Sequence, residues 1–182
     1  FVFLFGLLEE ANAQSYSKEK YSRTIWSYLK TLSNFGPRYI GTKGYDKTLK
    51  LIRQVGDEFA DEVLEHPFIF KRHNSEQMEM RNIEFIFHGN TGGRPVLLGA
   101  HYDTRPFADK EIDLTLRSQP IIGANDGGSG TAVLLGLARY LKEHPVNHPV
   151  RLVFFDGEDF GKNGTGEMFI GSRYHASYLK NK

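Results

Sequence analysis

The chain has 182 residues, 40% of them hydrophobic and 25% charged, which suits a folded domain with one sizeable core. A formal net charge of +1 gives no ground for nucleic-acid binding or for electrostatic docking on a membrane surface. There is no cysteine, so the fold must hold without disulfides even in an exported protein.

Taken in chain order, the first feature is Phe1-Val2-Phe3-Leu4-Phe5-Gly6-Leu7-Leu8, too short to span a bilayer. Ala11-Asn12-Ala13 follows, small residues arranged for cleavage before Gln14. Residues 1–13 therefore read as the remnant of an export signal and 14–182 as one domain of a periplasmic or extracellular protein. A buried N-terminal strand is the competing reading. A helix is expected over 17–32, where Tyr21, Ile25, Tyr28, Leu29 and Leu32 recur at helical spacing, and Asn34-Phe35-Gly36-Pro37-Arg38 breaks it. A second helix is expected over 45–60, with Leu49, Ile52, Val55 and Phe59 on one face.

Two strands follow, over 63–73 and 78–88, the second running into a Gly-Asn-Thr-Gly-Gly turn. Val96-Leu97-Leu98-Gly99-Ala100 is a short apolar run of the kind found in central parallel strands. After a polar loop over 104–122 comes a helix over 128–142, stopped by Pro145, then a strand over 150–155 and a last helix over 167–179. Asn163-Gly164-Thr165 matches a glycosylation sequon by pattern alone. This order predicts an α/β fold, a mixed sheet covered by helices on both faces.

Chemistry concentrates in three places, each at or just after an apolar strand or at the start of a helix. In an open α/β sheet the carboxyl ends of neighbouring strands converge on one crevice, so residues distant in sequence can meet there. Asp126, in Gly123-Ala124-Asn125-Asp126-Gly127-Gly128-Ser129-Gly130, is either a carboxylate ligand for zinc or an acidic cap on the following helix. Glu158 and Asp159 lie just past the strand that ends at Phe155; one can bind metal while the other serves as general base or acid, unless both belong to an exposed acidic turn. Asp156 reads as an acceptor that structures the loop. His101 and Asp103 form an H-x-D pair, either a zinc ligand with its orienting carboxylate or a satisfied structural pair. The other histidines, His66, His73, His88, His144, His148 and His175, lack such a setting.

The order H-x-D, G-A-N-D-x-x-S-G, F-F-D-G-E-D resembles the zinc-dependent aminopeptidase superfamily that includes glutaminyl cyclases. Asn34-Phe35-Gly36-Pro37-Arg38, the extended segment from His101 through Arg105-Pro106 to Asp109, and Glu158-Asp159 followed by Phe160-Gly161 are similar to the bacterial glutaminyl cyclases in particular. The resemblance runs from Tyr16 to Tyr178. It implies a mixed, mostly parallel central sheet flanked by helices, a zinc-exopeptidase-like α/β/α sandwich incomplete at its C-terminus. It also implies one catalytic Zn²⁺ held by Asp126 and Asp159, with Glu158 as the catalytic proton shuttle and His101 an unused second-metal position. Members supply a further His ligand and another Asp from C-terminal segments, which makes this sequence look truncated. The implied reaction is conversion of N-terminal glutaminyl residues of peptides and proteins to pyroglutamyl, with release of ammonia. Two rivals stand beside it: a two-zinc aminopeptidase, in which His101 is a true ligand, and a non-catalytic domain on the same scaffold.

Overall fold

Alternation along one central strand decides which face of the sheet each helix covers. We describe the chain from a computed structural model, which covers residues 2–161 and 165–180. The elements are α1 (Val2–Asn34), α2 (Lys43–Phe59), β1 (Glu62–Lys71), β2 (Gln77–Phe87), β3 (Val96–His101), α3 (Gly130–Glu143), β4 (Val150–Phe155) and α4 (Ile170–Lys180). In β2, Ile83, Phe85 and Phe87 join Leu152 and Phe154 of β4 in a core closed by Leu32, Ile52 and Leu135 from the first three helices. The rings of Phe85 and Phe154 meet with centroids 4.7 Å apart. The even-numbered residues of β2 face the other way. There Met80 packs with Phe68, Phe160 and Ile170, and Asn82 donates to the Gly171 carbonyl of α4 at 2.8 Å.

Helices thus cover both faces of a mixed sheet, as expected from the order of elements. The share of parallel pairing is smaller than the expected "mostly parallel". Strand order is β1-β2-β4-β3; β1–β2 and β2–β4 are antiparallel, and β3–β4 alone is parallel among the described residues. The reason is connectivity: a parallel neighbour needs a helical crossover, and β3-α3-β4 is the one such unit here. Among the described residues β3 has one neighbouring strand, β4, and Val96, Leu97 and Leu98 are between 39% and 49% exposed.

Element boundaries shift by a few residues, except at the start of α1. The α1 helix reaches back to Val2 rather than starting at Ser17, consistent with the absence of proline from that stretch and against an N-terminal strand. The start of α2 is set two residues before the expected Tyr45, because the Thr42 side chain caps it by accepting the Tyr45 N–H. Pro67 sits in β1, tolerable in a strand with one neighbour among the described residues. Asn163 and Gly164 of the sequon lie outside the described residues. No described helix is long and apolar enough to cross a membrane.

Candidate functional site

Parallel pairing of β3 with β4 brings two chain-distant segments side by side at their carboxyl ends. His101 is in register with Phe155, and the next N–H, of Tyr102, donates to the Phe155 carbonyl at 3.0 Å. One step on, the buried Asp103 carboxylate accepts the backbone N–H groups of Glu158 and Asp159, both at 3.0 Å. Asp103 therefore folds the loop after β4 around itself and fixes where the adjacent carboxylates begin. Its Oδ1 also lies 3.4 Å from His101 Nδ1.

The third segment enters through a wide helical turn over Ala124–Ser129 that kinks at Asp126 (φ −81°, ψ 116°) and Gly127 (φ 76°, ψ −40°). A β-carbon at Gly127 would stand 2.4 Å from the Asp103 carbonyl oxygen, so only glycine allows this approach at this backbone angle. Ser129, at the head of α3, makes no side-chain cap, and Asp126 turns away from that helix toward His101. Asp126 Oδ1 is 3.0 Å from His101 Nε2, and Glu158 Oε2 is 3.7 Å from the same nitrogen. Ligand-type atoms of His101, Asp126 and Glu158 all lie within 4.8 Å of one another.

Asp159 points elsewhere. Its Oδ1 accepts from Arg105 Nη1 at 2.6 Å, and the same guanidinium holds both oxygens of Asp109 at 2.8 and 2.7 Å. Asp126 and Asp159 border one open cleft of about 480 Å³, together with Arg105, Ile112, Ile121 and Met168. Asp126 is the residue common to the cluster and the cleft.

The electrostatics follow from carboxylate crowding. Burial would lower the His101 pKa, but the carboxylates of Asp103, Glu158 and Asp126 outweigh it and hold the imidazole up at about 9. Burial pushes the Glu158 carboxyl up, with His101 opposing and Asp103, Asp159 and Asp126 adding to the rise. Asp159 is raised by burial and pulled back by Arg105. Zinc in proteins takes His nitrogens and carboxylate oxygens at about 2.0–2.2 Å, and a cation relieves repulsion among half-buried carboxylates. The donor chemistry and convergence of this corner fit such an ion.

Asp156 behaves as the loop-structuring acceptor expected of it. Its Oδ2 takes the Tyr45 hydroxyl at 2.6 Å and the Arg81 N–H at 3.0 Å. Burial, reinforced by the Asp103 charge, pushes its carboxyl from an ordinary 3.8 up to about 7. Between those values the folded chain keeps a proton that the unfolded chain releases, so stability should fall as pH rises through that window. Denaturant midpoints at pH 4.5 and 7.5 should show the fall, and Asp156→Asn should flatten it.

Sequence reasoning gave no role to two arginines. Arg105 anchors Asp159 and Asp109; the visible signal was an Arg-Asp pair four residues apart. Arg38, fully buried, donates to the carbonyls of Tyr102 (3.1 Å), Leu32 (3.3 Å), Ile122 (2.7 Å) and Gly123 (2.8 Å), and its own N–H donates to Thr104 Oγ1 at 2.7 Å. One guanidinium thus pins the end of α1 to the loops carrying Asp103 and Asp126. Burial lowers its pKa to about 10, against the Asp103 charge. Nothing in Gly36-Pro37-Arg38 beyond a helix stop betrays this. Arg38→Met keeps volume but strands several buried carbonyls, and should destabilise the fold by about 3 kcal/mol or more, read as a lower denaturant midpoint.

A further correction concerns the remaining histidines. His66 and His175, expected to lack a setting, are buried together beside Glu84.

The chain is similar to known proteins in sequence and in fold. The model for Peptidase family M28 matches residues 82–182. The glutaminyl cyclase of Tannerella forsythia superposes with a TM-score of 0.77 at 29% identity, over 85% of this chain and 55% of that one. A Zn-dependent exopeptidase from Parabacteroides distasonis gives 0.76 at 27% identity, over 85% and 55%. Aminopeptidase YwaD of Bacillus subtilis is 34% identical over 87 residues, 48% of this chain and 15% of that protein. The chain spans about half the length of these solved structures and less of the curated relative.

Proposed function

Because the chain belongs to peptidase family M28, we propose that it carries the zinc-binding corner and proton shuttle of a glutaminyl-peptide cyclotransferase, acting on peptide and protein N-termini that bear Gln. A zinc-dependent enzyme is the coarser statement, supported alike by the family and by the cyclase and Zn-dependent exopeptidase it resembles.

The observation that carries the finer reading is the Arg105–Asp159 ion pair. With Oδ1 committed to the guanidinium, Asp159 has one oxygen left for a cation, which suits a single ion held with Asp126. Arg105 belongs to the segment that resembles the bacterial cyclases. When bound, the zinc would act as a Lewis acid on the γ-carboxamide carbonyl of the substrate.

The chain's own residues do the rest. Asp126 and Asp159 line the cleft and would hold the ion, with Arg105 orienting Asp159 through their ion pair. Glu158, with its backbone fixed by Asp103, takes a proton from the substrate's α-amino group as that nitrogen bonds to the side-chain carbonyl carbon. It returns the proton to the departing nitrogen as the carbon–nitrogen bond breaks, and ammonia leaves. The attacking amine is tethered to its target, so no nucleophilic water is required.

A second reading has its own support. His101, Asp126 and Glu158 form a three-donor set, and Aminopeptidase YwaD is among the relatives, which favours a two-zinc aminopeptidase with His101 as ligand. Incubating the full-length protein with zinc and a Gln-initiated peptide separates the two. Loss of about 17 Da as ammonia without shortening supports the cyclase, in which the ring closes on a tethered amine; release of free amino acids overturns it. Export completes the proposal: Ala11-Asn12-Ala13 suits cleavage before Gln14. Mass spectrometry of the secreted protein's N-terminal peptide, starting at Gln14 or its pyroglutamyl form, checks that.

A further inference from the structure

Away from the Asp126 corner, the face of the sheet covered by α4 holds a second group of ligand-type side chains. His66 on β1 pairs in register with Asn82, and Glu84 lies two residues further along β2, so both side chains point at α4 as diagonal neighbours. His175 reaches them from the middle of α4. The three residues are 7%, 0% and 2% exposed, and one ligand-type atom from each lies within 4.8 Å of the other two.

Two features set this group apart from an ordinary buried polar cluster. Glu84 divides its oxygens: Oε1 accepts from Arg151 Nη1 at 3.0 Å, while Oε2 faces His66 Nε2 at 2.8 Å. His175 has no hydrogen-bond partner on either ring nitrogen. A buried imidazole normally bonds through at least one nitrogen, and metal-ligating imidazoles are found where carboxylates converge on them. The helix that carries His175 is also rigidly seated. A β-carbon at Gly171 would stand 2.4 Å from both Asn82 Oδ1 and the Asp156 carbonyl oxygen, so α4 packs tightly on a β2 side chain and on the backbone just after β4.

We propose that His66, Glu84 and His175 form a second metal site, which binds a zinc-class divalent ion and ties α4 to the β1–β2 hairpin. Two imidazoles and one carboxylate are a recurrent zinc donor set. Burial disfavours the charged form of His175 and lowers its pKa. For Glu84, burial pushes upward, but the His66 hydrogen bond and the Arg151 charge bring the carboxyl below its ordinary value. The site shares no ligand with the Asp126 corner, and its role is structural, whichever peptide reaction that corner performs.

The test uses the full-length protein with Asp126→Ala and Glu158→Gln, which disable the first site. This protein should still retain close to one zinc per chain after dialysis, and zinc should raise its melting temperature. Adding His66→Gln or His175→Gln should weaken that binding by more than about 100-fold, beyond what losing a mere outer partner of a ligand brings. Where a Gln variant does not fold, Co²⁺ titration of the first-site-disabled protein decides, with visible absorption of a low-coordinate histidine site expected. Absence of Zn²⁺ and Co²⁺ binding in that protein, or binding unaffected by His66→Gln and His175→Gln, would overturn the proposal in favour of a water-filled polar cluster.

Discussion

Glu158→Gln in the full-length protein should lower the rate of ammonia release by about 100- to 10,000-fold, the range typical of removing a positioned general base or acid. The change is nearly isosteric, and the contact that places this residue, its backbone N–H on Asp103, does not involve the side chain. What is lost is the capacity to accept and return a proton. The native carboxyl is half-buried and raised by that burial, which brings a carboxylate closer to a useful proton shuttle near neutral pH. Zinc content should be unchanged, because the proposed ligands Asp126 and Asp159 are untouched. Steady-state ammonia release paired with elemental analysis reads both. A near-native rate would remove Glu158 from the chemistry. Loss of zinc together with rate would make Glu158 a ligand alongside His101, as in the two-zinc reading.

Asp126→Ala should abolish activity by removing the catalytic metal, visible as loss of one equivalent by elemental analysis. Among the described residues, Asp126 alone belongs both to the His101 cluster and to the cleft shared with Asp159. The fold should survive. Asp126 is largely solvent-exposed, and the turn that presents it depends on Gly127 and on Arg38 rather than on the aspartate side chain. Its removal takes one like charge from Glu158 and one partner from the His101 imidazole, opposing effects at an exposed site, so the unloaded protein should stay close to its parent in stability. A variant that kept its metal and activity would end the assignment of Asp126 as a ligand.

Much of this architecture is legible in the amino-acid sequence. Strand β4 has its expected bounds, and α2, α3, α4 and the hairpin lie close to theirs, because their periodicity is a local property, whereas α1 begins well before its expected start. The convergence of His101, Asp126 and Glu158 follows from one topological rule about strand ends. What stays hidden depends on pairing across the chain. The parallel pairing of β3 with β4 cannot be read from Val96-Leu97-Leu98, since an apolar run looks the same whatever strand lies beside it. Arg38 and Arg105 are ordinary basic residues until the carbonyls and carboxylates they meet are known. His66 and His175 are 109 positions apart, and only the packing of α4 onto the β1–β2 hairpin makes them neighbours.

The Arg38 clamp also dictates an order of events during folding. Its partners Tyr102, Ile122 and Gly123 lie 64, 84 and 85 residues along the chain, so each contact closes a long loop. Loop-closure entropy grows with the logarithm of that length, and contacts of such range form late. On a ribosome, Arg38 emerges well before the loops it will hold, and at about 5–20 residues per second it waits several seconds for Gly123. Until then its guanidinium stays in water and Asp126 has no fixed relation to His101. Maturation of the metal corner is therefore tied to global docking of the N-terminal helix, and an ion captured earlier would meet a flexible chain rather than a shaped site.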